Sequence, residues 1–172
     1  MQPINNNLFR VENLVFSYAL GTQTYEALRG ITIDIPRHSL VTFTGPSGSG
    51  KSTLLNILGL IEPMQKGKIL FLDKDISHLS ERQKNKIRKY KIGFIFQQFY
   101  LIPVLSAKEN VEYFLKKQHL GYSETHKRTK ECLESVGLWG KRHKKPSELS
   151  GGEQQRVAIA RALAKQPDVI IA

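Results

Sequence analysis

Apolar and polar positions alternate along the first third of the chain with the two-residue period of half-buried strands. Residues 8–18 read as an edge strand and residues 31–35 as a second strand, broken by Pro36. A third short strand at 40–44 runs directly into the segment GPSGSGKST at 45–53. There the period changes, and residues 52–60 carry Leu54, Leu55, Ile57 and Leu58 at helical spacing. Gly67 precedes another apolar strand at 68–72, and KIGFIF at 91–96 predicts one more. From 97 to 145 no strand-like segment stands out; AKENVEYFLKKQHL and then ETHKRTKECLESVGL favour helix. Strand character returns only with DVIIA at 168–172. This order predicts an α/β fold. Residues 1–96 and 146–172 form one core with a mainly parallel sheet, and 97–145 form a helical insertion.

Composition adds a charge problem to that outline. The 172 residues are 40% hydrophobic and 24% charged, ordinary globular usage, and one cysteine cannot form an internal disulfide. The net charge of +11 is concentrated: ERQKNKIRKYK at 81–91 holds six Lys/Arg against one Glu, and KRHKK at 141–145 adds four more. Both runs read as solvated helix faces or loops. Tyr90 is the one Phe, Trp or Tyr within the two runs, so a stacking platform for nucleic acid is not expected. MQPINNNLFR lacks the apolar stretch of a secretory signal, and no apolar run reaches the roughly 20 residues that span a bilayer. The reading is cytoplasmic, with any membrane role supplied by a partner. Cys132 is expected to be a small buried apolar residue, and the five histidines show no metal-ligand spacing.

The segment at 45–53 carries the chemistry. Gly45-x-x-x-x-Gly50-Lys51-Ser52 matches a P-loop in full. Gly45, Gly48 and Gly50, with Pro46, Ser47 and Ser49 between them, allow successive N–H groups to turn inward around phosphate oxygens. The helix that follows presents its positive end to the anion. Lys51 supplies a charge for the β- and γ-phosphates, Ser52 a hydroxyl for Mg²⁺, and Thr53 a hydroxyl near the α-phosphate. A glycine-rich turn with a chance lysine would need neither the preceding strand nor the following helix. The segment is a nucleoside-triphosphate site, which leaves kinases, GTPases, helicases and transport ATPases open.

A second glycine-led helix start lies at 149–156, LSGGEQQR. Ser150 and Glu153 have the spacing of a capping box, and Gly151 and Gly152 leave backbone N–H groups uncovered. Val157, Ala158, Ala160, Ala162 and Ala164 suit close packing. Alone, this is an ordinary capped helix. Beside a P-loop, LSGGEQQRVAIARAL resembles the signature motif of the ATP-binding-cassette (ABC) ATPases. The similarity extends from Tyr18 to Ala172, and IRKYKIGFIFQQFYLIPVLSAKENVEYF is similar to the branch of lipoprotein-releasing and macrolide-export subunits.

The resemblance implies a P-loop NTPase core with antiparallel N-terminal strands. It puts Tyr18 where an aromatic ring stacks on adenine, although a strand-end aromatic is the plainer role. Gln97 matches the glutamine that touches Mg²⁺ and the attacking water, and Gln98 is its competitor. Ser150, Gly151 and Gly152 would contact the γ-phosphate of ATP held by a second copy, with Glu153 counted among the same cofactor-binding residues, giving a head-to-tail dimer with two ATP molecules. Separate membrane-spanning subunits would dock on the 97–145 block, and the branch leans toward export or extraction. Two departures stand out. Pro36, Arg37, His38 and Ser39 replace an acidic–Gly–acidic turn. The apolar run Val169, Ile170, Ile171 and Ala172 is not followed by the family's Asp-Glu pair, so the chain reads as cut at its catalytic edge. A nucleotide-binding module without turnover is therefore the alternative. A DNA-associated ABC ATPase is disfavoured because no long heptad segment interrupts 97–145.

Overall fold

The structure, a computed structural model, describes residues 6–172; residues 1–5 of the polar start fall outside the described residues. The chain forms two compact units, Met1–Lys84 and Asn85–Ala172.

In the first unit, β1 (Asn7–Leu20) and β2 (Gln23–Pro36) make a long antiparallel hairpin whose turn places Gly21 at φ 62°. β3 (Lys66–Phe71) pairs with the other side of β1, and the two-residue β4 (Lys74–Asp75) closes the sheet in the order β2-β1-β3-β4. β1 is thus interior, not the edge strand expected. Its alternation shows which face is buried, and says nothing about which backbone edges are covered.

One extra residue also interrupts that alternation. The three-residue step of β1 from Val11 to Leu14 opposes the two-residue step from Ile33 to Ile31, and Asn13 takes φ 48° with its N–H donated to Thr32 Oγ1. The bulge moves the buried set from Phe9 and Val11 to Leu14 and Phe16 without turning the strand over. Phe9 packs against Phe71 with ring centroids 4.8 Å apart.

Helix α1 (Lys51–Leu58) buries Leu54, Ile57 and Leu58. The expected strand at 40–44 is not formed. An extended segment becomes a strand only when its N–H and C=O groups find a ladder partner, and neither described sheet includes it. Leu40 is 96% exposed.

In the second unit, β5 (Ile92–Phe94) and β6 (Val169–Ile171) pair in parallel, Ile92 opposite Val169. Helix α2 (Glu81–Tyr90), which carries the first basic run, enters this unit at Asn85 and buries no residue. Three further helices, α3 (Ala107–Lys117), α4 (Tyr122–Ser135) and α5 (Gly151–Ala164), share one core. It comprises Ala107, Val111 and Leu115, then Leu133, Leu138 and Leu149, and Val157, Ala160 and Ala164. The small residues of α5 let its backbone approach α3 and α4, and each fully buried leucine contributes roughly 2 kcal/mol. Ser106 and Glu109 cap α3 reciprocally, and the buried Asn110 ties the preceding loop through Ile102 N–H and the carbonyls of Ile102 and Leu105. Cys132 is only half-buried, at the margin of this core and not inside it as expected, and burial pushes its thiol pKa up. Among the described residues no helix is long and apolar enough to cross a membrane.

Candidate nucleotide-binding site

The P-loop belongs to the first unit. Gly50 is the N-cap of α1 at φ 84°, and a Cβ there would meet Ala27 O at 2.5 Å and Leu28 Cδ2 at 2.8 Å. Only glycine satisfies both demands. No side chain caps α1 and no acid lies in its first turn, so the positive end of the helix carries no protein anion. Lys51 Nζ donates to Gly45 O (2.8 Å), Pro46 O (2.7 Å) and Ser49 Oγ (3.0 Å), which holds its charge over the loop. Ser52 is exposed at the second helical position, whereas Thr53 is buried.

Two tyrosines brace the loop from the hairpin, where Tyr18 and Tyr25 stand opposite each other. The Tyr18 hydroxyl lies 3.2 Å from Thr53 Oγ1, and its ring meets Phe16 edge-on. Tyr25 donates to Gly48 O at 3.0 Å. Sequence reasoning singled out Tyr18 and missed Tyr25. Their cross-strand pairing was a usable signal only once the hairpin turn had been placed at Gly21.

The second unit holds the other candidates. Phe99 N–H donates to Phe96 O at 3.0 Å, which makes Gln97 and Gln98 the two central residues of a tight turn. Both are exposed. At the start of α5, Ser150 Oγ accepts from Glu153 N–H and Ser150 N–H donates to Glu153 Oε2, the reciprocal cap expected from the spacing. Glu153 also takes a salt bridge from Lys141, and that hydrogen bond, with the cap, holds its carboxyl below the usual range. Its carboxylate therefore fixes the helix start and is not free to face outward. A Cβ at Gly151 would meet nothing within 4 Å, and one at Gly152 only Arg156 Nη1 at 3.9 Å. Nothing inside the unit demands those two glycines.

No group of three or more His, Cys, Asp or Glu that could hold a metal exists among the described residues. The donors at the motif positions are the Ser52 hydroxyl and the Gln97 amide. The first lies in the first unit and the second in the second unit.

The model of the family described as "ABC transporter" matches residues 28–172. The chain belongs to the ABC transporter family. An ABC transporter ATP-binding protein of Thermotoga maritima, itself uncharacterised, is 47% identical over 155 residues, covering 90% of this chain and 66% of that protein. The lipoprotein-releasing system ATP-binding protein LolD of Aquifex aeolicus is 45% identical over 148 residues, 86% of this chain and 66% of its own length. The cassette thus spans just under two thirds of the length of both. Among solved structures, a cassette of Methanocaldococcus jannaschii, a post-hydrolysis dimer bound to ADP and Pi, superposes with a TM-score of 0.87 at 42% identity. That match covers 94% of this chain and 72% of the solved one. The P-loop NTPase fold read from the motifs is thereby shown.

The second unit also has a cavity of about 530 Å³ lined by Phe94, Phe96, Tyr100, Tyr113 and Phe114, with Arg161 and Lys165 of the signature helix and its C-cap in the wall. Lys165 donates to the carbonyls of Arg88 and Ile92, and burial, with repulsion from Arg161, lowers its pKa to about 8. Between about pH 8 and 10.5 the unfolded chain therefore binds a proton here that the folded chain does not. Stability contributed at this site rises with pH across that window and is flat below it. Urea unfolding of the wild type and of Lys165→Met from pH 7 to 10.5 checks this: the difference between the two should change above pH 8, in the wild type's favour.

Proposed function

We propose that this chain is the ATP-binding and ATP-hydrolysing part of a transporter. It would work as a head-to-tail pair and drive export or extraction through separate membrane-spanning subunits, from the cytoplasmic face of the membrane. The carrying observation is that one chain has two exposed, glycine-led helix starts. One has Lys51 above it; the other has glycines with no internal reason to be glycine.

In this reading the P-loop amides and Lys51 cradle the β- and γ-phosphates. Tyr18 stacks on adenine, and Ser52 and Gln97 hold the metal side of the phosphates. Mg²⁺, when bound, neutralises charge that develops on the transferred phosphoryl group. Ser150, Gly151 and Gly152 of one copy offer N–H and hydroxyl donors to the γ-phosphate held by the other, while Glu153 keeps that helix start in place. ATP then bridges the copies, and its hydrolysis removes the bridging group. The conformational change is driven by the difference in nucleotide affinity between closed and open states.

The helical subdomain at 97–145 serves as the docking surface. The aromatic cavity, edged by Arg88, Lys89 and Lys117, suits a partner segment that offers an apolar anchor beside a carboxylate. The Asp-Glu pair of the family is not among residues 1–172, so this stretch alone should bind ATP and hydrolyse it slowly. No observation favours a module that lacks turnover altogether.

Dimerisation tests the reading most directly. Sedimentation velocity with Mg-ATP should show a nucleotide-dependent dimer, and Gly152→Asp should abolish it while ATP binding by the monomer stays within about twofold. A Gly152→Asp chain that dimerised as before would overturn the head-to-tail arrangement.

A further inference from the structure

Arg161 sits three turns along the helix that Ser150 begins, and it is only 6% exposed. Such a buried guanidinium ordinarily faces a carboxylate. Here its fork closes on two successive backbone carbonyls: Nη1 donates to Tyr100 O and Nη2 to Phe99 O, both at 2.6 Å, while its Cζ lies 5.8 Å from the centroid of the Phe114 ring. Phe99 and Tyr100 are the two residues that need holding. Both are non-glycine residues at left-handed φ, 58° and 43°, and Tyr100 N–H is folded back onto Gln98 O at 2.6 Å. Backbone of that kind persists only where its surroundings over-determine it. The strained pair closes the turn that presents Gln97 and Gln98.

We propose that Arg161 is a positioning residue that ties the Gln97 turn to the signature helix, so that displacing one displaces the other. The coupling part rests on the reading that Gln97 and Ser150 both face nucleotide. Arginine is required because a single side chain must satisfy two adjacent carbonyls in a fixed plane; lysine offers charge without the fork. The lever is stiff: α5 runs unbroken from Gly151 to Ala164, and the 11 residues from Ser150 to Arg161 span roughly 16 Å at helical rise. Lys165, one turn further on, adds a second tie to the carbonyls of Arg88 and Ile92. The strands' side of this unit is thus gripped twice by one helix. A nucleotide contact at Gln97 can therefore reach Ser150 within a single chain, before a second copy arrives.

Hydrogen exchange on Arg161→Lys, with Arg161→Gln as a second variant, tests both halves. Without nucleotide, amides at 98–101 should exchange at least tenfold faster than in the wild type, while those of α3 and α5 stay within about twofold. A merely packing role would loosen all three together, and that outcome, or unchanged exchange at 98–101, overturns the clamp. At concentrations where the wild type remains monomeric, Mg-ATP should alter exchange at 97–101 and also at 150–154. In the variants the response at 150–154 should fall at least fivefold, with the Kd for ATP within twofold. A response at 150–154 that survives in the variants overturns the coupling. A wild-type chain that binds no ATP would instead sink the functional reading, and the nucleotide-free comparison would still decide the clamp.

Discussion

Lys51→Ala should weaken ATP binding by about a hundredfold or more, with no change in fold. The ammonium is the one side-chain charge that the loop aims over its own cradle, held there by three loop oxygens. Charge-assisted hydrogen bonds contribute roughly 1.5–3 kcal/mol each, so losing two to phosphate amounts to about 3 kcal/mol or more. The helix dipole and backbone amides remain, which is why a residual millimolar affinity is expected and not a complete loss. Isothermal titration of ATP into wild type and variant measures it. The melting temperature should scarcely move, because Lys51 bonds to its own loop and to no residue of the buried core. Equal affinities would remove the P-loop from the mechanism.

The second large effect is structural. Gly67→Ala should destabilise the first unit by roughly 3 kcal/mol or more. Gly67 lies inside β3 at φ 105°, and a Cβ would come within 2.7 Å of Asn13 O and of Glu12 O, and 2.8 Å from Leu14 Cα. All three contacts are backbone, and none can swing aside as a side chain could. They fall on the stretch of β1 where the bulge brings an extra residue across from β3. The bulge and the glycine are therefore one device: β1 can bend toward β3 only because nothing projects from residue 67. Urea unfolding of the variant should show a lowered midpoint, and hydrogen exchange should locate the loss in β1 and β3, with the helical core of the second unit unaffected.

Local elements at the motifs were more legible in the sequence than the sheet. The cap of Ser150 by Glu153 and the helix after Lys51 depend on neighbours a few residues away, and the motifs record those neighbours directly. The strand expected at 40–44 failed because a strand is defined by a partner elsewhere in the chain, and five residues of alternation carry no information about whether one exists. For the same reason β1 read as an edge. Tyr25 was missed because its importance comes from Gly48 O, 23 residues away. Arg161 was legible only as one more residue of a familiar helix; its role depends on the backbone conformation of Phe99 and Tyr100, which no side-chain pattern announces.

The unpaired segment at 40–44 bears on how the protein behaves in a tube. Leu40 and Val41 are exposed on a segment outside both described sheets, its backbone groups open to pairing with a second chain. Long-range repulsion from a net charge of +11 opposes such contacts, and at 0.1 M salt that repulsion is screened within about 10 Å. Low-salt buffer therefore favours dispersed molecules, and rising ionic strength favours clumping well before the fold itself gives way.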